Sequence, residues 1–277
     1  MVEMSLVLGV LIGLVLGLTG AGGSILAVPA LMLGLGWTLP QAAPVALIAV
    51  FAAAAFGTIA AWDVAYVRYR AALLMAASGI AVAPLGLFAA RALPLVTLSL
   101  LFTAVLVVVA VRMVWQARRK PDETRIVRAT VHGDGEPAKG PICKLNARGR
   151  ILWTRPCTLV IATIGAVAGF FSGLLGVGSG FVIVPGLRNA TALSMHSAVA
   201  TSLMAIAMTS AGTVAVTLLS GTPMPWLTAL PFAAGALTGM LAGRGLAERI
   251  AGPALQQIFA GLMVVSAAAL LHRTLSG

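Results

Sequence analysis

Charge is what this sequence has least of. Only 9% of its 277 residues are charged and 60% are hydrophobic, whereas a soluble domain carries roughly 25% charge. A water-exposed surface cannot be built from that supply, so a soluble globular protein is excluded. Acidic residues number seven: Glu3, Asp63, Asp122, Glu123, Asp134, Glu136 and Glu248. None stands in the middle of a long apolar run, where cation carriers and carboxylate proton relays normally bury one. Catalytic signatures are missing too. There is no Cys/His metal set, no pair of carboxylates on one helix, and no G-x-S-x-G or phosphate-loop motif. An enzyme is not expected, and no cofactor or metal is implied. The two cysteines, Cys143 and Cys157, lack ligand-type spacing and are expected as unpaired thiols, kept reduced in a cytoplasmic loop. The opening "MVEMSLVLGV" has no basic residue and carries Glu3. It is therefore expected to stay as the first membrane segment and not to be cleaved as a signal.

What is present is long uncharged runs: Ala71 to Ala90, Ala92 to Val111, Pro156 to Leu187, Asn189 to Gly243 and Ile250 to Leu271. A helix needs about 20 apolar residues to cross roughly 30 Å of hydrocarbon, so the chain reads as a polytopic integral membrane protein. Its net charge of +11 is concentrated. Ten of the eighteen Lys and Arg residues lie between Arg118 and Arg155. A basic loop between spans is the mark of the cytoplasmic side. The expected partners are therefore the lipid bilayer and a small solute, with no nucleic acid.

A repeat organises the rest. At an offset of 156, Gly13, Gly17, Leu18, Gly20, Gly22, Val28, Pro29 and Leu31 match Gly169, Gly173, Leu174, Gly176, Gly178, Val184, Pro185 and Leu187. At 155, Gly57-Thr58 matches Gly212-Thr213, and at 153, Gly86 and Arg91 match Gly239 and Arg244. The expected organisation is a first repeat over 1–117, a basic cytoplasmic linker over 118–155 and a second repeat over 156–277. Each repeat reads as a broken segment and three spans: 4–36 broken, then 42–62, 70–91 and 94–116; and 157–188 broken, then 197–219, 225–246 and 252–272. All of it is helix, because a span must satisfy its own backbone and nothing alternates like a barrel strand. If the broken segment enters and returns, each half crosses three times and the halves are inverted. If it crosses, each half crosses four times and they run in parallel. With the linker inside, the inverted reading leaves only Arg91 and Arg273 outside. The parallel one puts Arg91, Arg188, Arg244 and Arg249 there. The charge rule thus favours an all-α protein of two inverted repeats, in the cell membrane, with both termini outside.

The breaks themselves, "TGAGGS" (Thr19 to Ser24) and "GVGSG" (Gly176 to Gly180), raise the functional question. Irregular backbone at membrane depth persists only where it lines a cavity or is buried in protein, and inverted-repeat transporters hold substrate on such broken helices. The helix that restarts near Ser24, or near Phe181, offers free N–H groups and a positive dipole end to an anion. Candidate substrate contacts are therefore Thr19, Gly20, Gly22, Gly23, Ser24, Gly176, Gly178, Ser179 and Gly180. Gly13, Gly17, Gly169 and Gly173, at four-residue spacing, are assigned to helix packing. Arg91 and Arg244 occupy equivalent positions near span ends and suit an anion, or else snorkel to the interface. Thr201 and Ser202 follow the second break and offer hydroxyls, unless they back-bond into their own helix. His196 titrates near neutral pH or is a solvated loop residue.

The stretch "GAVAGFFSGLLGVGSGFVIVPGL" followed by "HSAVATSL" resembles the sulfite exporter TauE/SafE family of membrane permeases. The glycines stand as that family spaces them, at Gly165, Gly169, Gly173, Gly176, Gly178 and Gly180, with Val184-Pro185 after them. The first half, Gly13 to Leu31, matches more loosely. Ser179 and "LRNATALSMHSA" (Leu187 to Ala198) depart from the common pattern. The resemblance implies secondary transport, usually outward, of small sulfur-containing anions such as sulfite or organosulfonates. Such a carrier is compatible with a homodimer. The rival expectations are a membrane-embedded accessory subunit without transport of its own, or a transporter of another small ion.

Overall fold

The computed structural model describes residues 2–60, 67–119, 143, 151–191, 193, 195–222, 224–250 and 253–276. Asp63 lies outside them. For Thr19, Gly20, Gly22, His196 and Glu248 only the backbone element is described. With few polar side chains along the apolar runs to pair with, the backbone closes its hydrogen bonds within helices. Helix α1 (Val2–Thr19) passes into a 3-10 segment (Gly20–Leu26) and α2 (Ala27–Gly34); α3 (Leu39–Ala60), α4 (Tyr69–Ala92) and α5 (Leu95–Arg119) follow. Beyond the linker come α6 (Arg155–Leu175), α7 (Gly180–Ala190), α8 (Met195–Leu219), α9 (Trp226–Ile250) and α10 (Pro253–Ser276). Seven described helices, α3 to α6 and α8 to α10, are long and apolar enough to cross a bilayer, and the arms α1 and α2 are shorter. The protein is an all-α integral membrane protein.

Glycine decides which helices touch. A Cβ built at Gly13 of α1 would fall on the carbonyl oxygen of Ala236 in α9, and one at Gly17 would come 2.6 Å from that of Met240. Gly165, Gly169 and Gly173 of α6 meet the backbone of Met75, Gly79 and Ala83 in α4 in the same way. Without side chains there, backbones approach closely enough for dispersion to hold helices that lipid would not drive together. The four glycines assigned to packing do pack. Numbers rise together along both pairs, so α1 runs parallel to α9, and α6 to α4. Equivalent helices also meet: α3 lies on α8, and α5 on α10.

Both broken segments double back. Leu8 of α1 fills the space beside Gly34 at the end of α2, and Ile164 of α6 fills that beside Gly186 of α7. Arg273, near the end of α10, closes the first hairpin by donating to the carbonyls of Met32 and Gly36. Those carbonyls lie in and after the last turn of α2, where no intrahelical N–H remains to bond them.

Two expectations are corrected. The first-half helix does not restart at Ser24. The 3-10 segment carries the chain from Gly20 to Leu26, and α2 begins at Ala27. Its N-terminus is therefore continuous with the preceding turns, and only the second break leaves a true restart, at Gly180. The cysteines are not unpaired: Cys143 and Cys157 form a disulfide. The linker folds back so that the Cys143 N–H donates to the Ala190 carbonyl at 3.0 Å, beside the end of α7. That places it opposite Cys157 in the first turn of α6. The bridge thus ties the two arms of the second hairpin together at their outer ends.

Candidate functional site

The breaks meet at the centre of the bundle. Ser24 Oγ donates to the Gly178 carbonyl at 2.9 Å. A Cβ at Gly178 would lie 2.9 Å from Ser24 Cβ and would strike Val50 of α3. Gly178 is glycine because two other segments occupy the space a side chain needs. Gly176 is glycine for that reason too, since a Cβ there would fall on Ala43 of α3, and for a second one. It ends α6 in the left-handed conformation, φ 66°, with its N–H on the Ser172 carbonyl. That conformation suits glycine because it has no Cβ to clash.

Ser179 stands at the N-cap of α7, yet its side chain does not cap that helix. Its hydroxyl lies 2.9 Å from Thr209 Oγ1 on α8. Thr209 already gives its proton to the Ala205 carbonyl at 2.8 Å, so Ser179 is the donor of the pair. An N-cap serine normally accepts from the N–H groups of the first turn. Directed at Thr209, it leaves the first turn of α7 only the Ser179 carbonyl, which accepts from Val182 and Ile183 at 3.2 and 3.0 Å, and no side-chain cap for the N–H groups before them, at the positive end of the helix dipole. Ser24 and Ser179 are both fully buried.

The hydroxyls along α8 form a ladder. Thr209, Thr213 and Thr217 are four residues apart, hence on one face and about 6 Å apart per step. Each donates to the carbonyl four residues earlier. Ser172 of α6 lies 3.4 Å from Thr213. The neighbouring Ser210 is fully buried, and its hydroxyl has no hydrogen-bond partner among the described residues. The ladder begins below a cavity of about 310 Å³ between α3, α4, α6 and α8, whose lining includes Arg91, Ser172, Gly176, Thr213, Thr217 and Thr222.

The remaining candidates are placed elsewhere. Thr201 accepts from the Arg68 N–H at the start of α4, 3.0 Å away, and Ser202 back-bonds to Val199 at 2.8 Å. Both are fully buried but sit two turns from Thr209, so neither joins the break. Sequence reasoning singles out Thr201 and Ser202 and misses Thr209 and Thr217. The four-residue spacing of Thr209, Thr213 and Thr217 was the available signal. Arg244 donates to the Gly57 carbonyl at 3.1 Å, in the last turn of α3. Arg91 donates to Thr222 Oγ1 at 2.8 Å and to the Ser220 carbonyl at 3.3 Å, just past α8. The two arginines thus do equivalent work: each reaches from one half to the C-terminal end of a long helix in the other, where a cation is favoured.

Long apolar helices, packed through glycine around two broken hairpins that touch at mid-bundle, define an integral membrane transporter. The sequence model for the sulfite exporter TauE/SafE family matches residues 5–270, and the chain belongs to that family, one of transporters and not of enzymes. It is 32% identical over 268 residues to a probable membrane transporter protein of Xylella fastidiosa strain 9a5c, covering 94% of this chain and 90% of that one. It is 30% identical over 265 residues to a protein of the same description from the Temecula1 strain, with the same coverage. No solved structure matches it.

Proposed function

We propose that this transporter exports a small sulfur-containing anion, sulfite or an organosulfonate, by alternating access around the paired breaks. The observation that carries the reading is the diverted N-cap. Ser179 gives its hydroxyl to Thr209, and the first turn of α7 keeps its anion-binding character at a buried point where both breaks touch. The family's name supplies the sulfur chemistry, and the absence of a mid-membrane carboxylate supports the sign. The two hairpins and the crossed packing of α1 on α9 and α6 on α4 support two inverted repeats, 1–117 and 156–277, that rock about that contact. The basic linker 118–155 is then cytoplasmic, in the cell membrane.

The test is uptake of labelled sulfite, sulfate and a short sulfonate into proteoliposomes, with and without an imposed pH gradient. Gly178→Val is a poor probe, because its side chain strikes Val50 and Ser24 and disturbs packing whatever the function. Thr209→Val is better. It removes the partner of Ser179 and releases that hydroxyl to cap α7, while Thr209→Ser keeps the pair. Saturable flux is expected for one anion, with Thr209→Val reducing it roughly tenfold, the equivalent of one hydrogen bond of about 1.4 kcal/mol, and Thr209→Ser restoring it. Flux of no anion under either gradient would return the glycine clusters to packing and leave an accessory subunit.

A further inference from the structure

The cavity of about 310 Å³ touches the second break only at its first residue, Gly176. Its deep end is formed by Ser172, Gly176 and Thr213, which stops one helical turn, about 6 Å, short of the Ser179–Thr209 pair. Its outer end reaches the exposed Arg91 at the end of α4, on the bundle face that also carries Ser5, bonded to Thr228, and Arg273, bonded to Gly36. That is the face of both termini, opposite the end where the linker's Cys143 meets Ala190. One wall is apolar, from Leu39 to Leu47 of α3; the other carries the Thr213 and Thr217 hydroxyls. Among the described residues, Arg91 is the only charged one in the lining.

We propose that this cavity is an anion-receiving vestibule open to the face of the termini, with Arg91 setting the sign of what enters and Thr217, Thr213 and Ser172 leading inward to the break. Arg91 is fixed over the mouth by Thr222 and Ser220, which use one of its terminal nitrogens, Nη2, and leave Nη1 and Nε free of those two bonds. A guanidinium carries five N–H donors, so it holds its place and still offers donors to a passing oxyanion. A cation at the mouth of a cleft with apolar walls raises the local concentration of anions, on the order of tenfold at low ionic strength. The threonines serve a travelling anion without cost to the helix. Each proton now rests on a carbonyl that keeps its own helical N–H bond, so the hydroxyl rotates to the anion and back. The ladder belongs to one half only. At the offset of 155, Thr209 and Thr213 correspond to Ala54 and Thr58, and Ser210 to Ala55, so polar guidance lies on α8 and not on α3. As a path for cargo this rests on the transporter reading; as a charge-selective cavity it does not.

Thiol accessibility tests it. Thr217→Cys is reacted with an anionic (sulfonatoethyl) and a cationic (trimethylammonioethyl) methanethiosulfonate. The parent chain, with its cysteines paired, is the unlabelled control, and Val108→Cys on the lipid side of α5 is a second. The anionic reagent is expected to gain roughly tenfold over the cationic one, relative to their rates on a free thiol. Arg91→Gln should remove that gain and Arg91→Lys should keep it. Sulfate should slow labelling; sulfite is avoided because it consumes the reagents. No labelling of Thr217→Cys by either reagent, or the same rate ratio in Arg91→Gln, overturns the proposal. Labelling needs no flux. A charge-selective cavity in a protein that carries no anion would therefore remove the transport reading and leave the vestibule standing.

Discussion

A glycine in this protein is informative only through what lies where its side chain would be. Gly169 faces the backbone of Gly79 so closely that a Cβ has nowhere to go. Gly245 of α9 and Gly261 of α10 have nothing within 4 Å of that position. The same residue type therefore predicts opposite outcomes. Gly169→Val forces α6 away from α4 and should cost roughly 3 kcal/mol or more, the upper range for overpacking a tight site. Gly245→Ala and Gly261→Ala add a helix-favouring residue in open space and should be neutral or stabilising by up to about 1 kcal/mol. Thermal unfolding of the purified protein in one detergent checks all three. Equal losses at Gly169 and Gly245 would mean that α4 and α6 do not meet backbone to backbone. A repeat in sequence points to such residues but does not sort them. Gly173 and Gly178 are both matched in the first half, yet one holds two helices together and the other admits a serine and a valine to the break.

At the scale of the element, the second hairpin is clasped twice: by the backbone bond from Cys143 to Ala190 and by the disulfide to Cys157 in the first turn of α6. The bridge closes a loop with a sequence separation of 14, for which chain-entropy arguments give about 3 kcal/mol. The untreated protein should therefore take up no maleimide-polyethylene glycol, and two after reduction. Reduction should also lower its unfolding temperature, while the Cys143→Ser/Cys157→Ser variant should sit at the lower value in either condition. Uptake of two labels without reductant would mean that the pair is open. Neither this clasp nor the 3-10 form of the first break was legible in the sequence. A disulfide depends on where a polar linker folds back, and Cys143 has no apolar pattern around it to say so. Spans were legible because hydropathy is a local property. The expected 42–62, 70–91 and 94–116 became 39–60, 69–92 and 95–119, differing only by the last turns. The two breaks were legible because several glycines close together weaken a helix at that point of an apolar run. The Ser179–Thr209 pair was not, since its partners are 30 residues apart and only the hairpin's return brings them together.

At the scale of the whole molecule, the question is which end of the bundle faces the cytoplasm. The hairpins settle how the ends are sorted: α1 and α2 start and finish at one end, as do α6 and α7 at the other. The termini then share an end with Arg91 and Arg273. The linker shares the opposite end with Arg68, with Arg244 over Gly57, and with Arg155 and Arg188. Those four cations against two are the asymmetry that the positive-inside rule assigns to the cytoplasmic face. The disulfide argues the other way, because cytosolic thiols are held reduced. Charge is the firmer guide to insertion, since it acts while the chain enters the membrane, whereas a thiol pair opens and closes afterwards. We therefore expect alkaline phosphatase fused at the C-terminus to be active, as it is only after export. Green fluorescent protein inserted in the linker should fluoresce, as it does only inside. Both reporters on one side would mean that each broken segment crosses, and the halves would run in parallel. Both reporters inverted would keep the hairpins and turn the molecule over. The disulfide would then stand in the oxidising compartment, and the vestibule of Arg91 would open to the cytoplasm and be the door by which an exported anion enters.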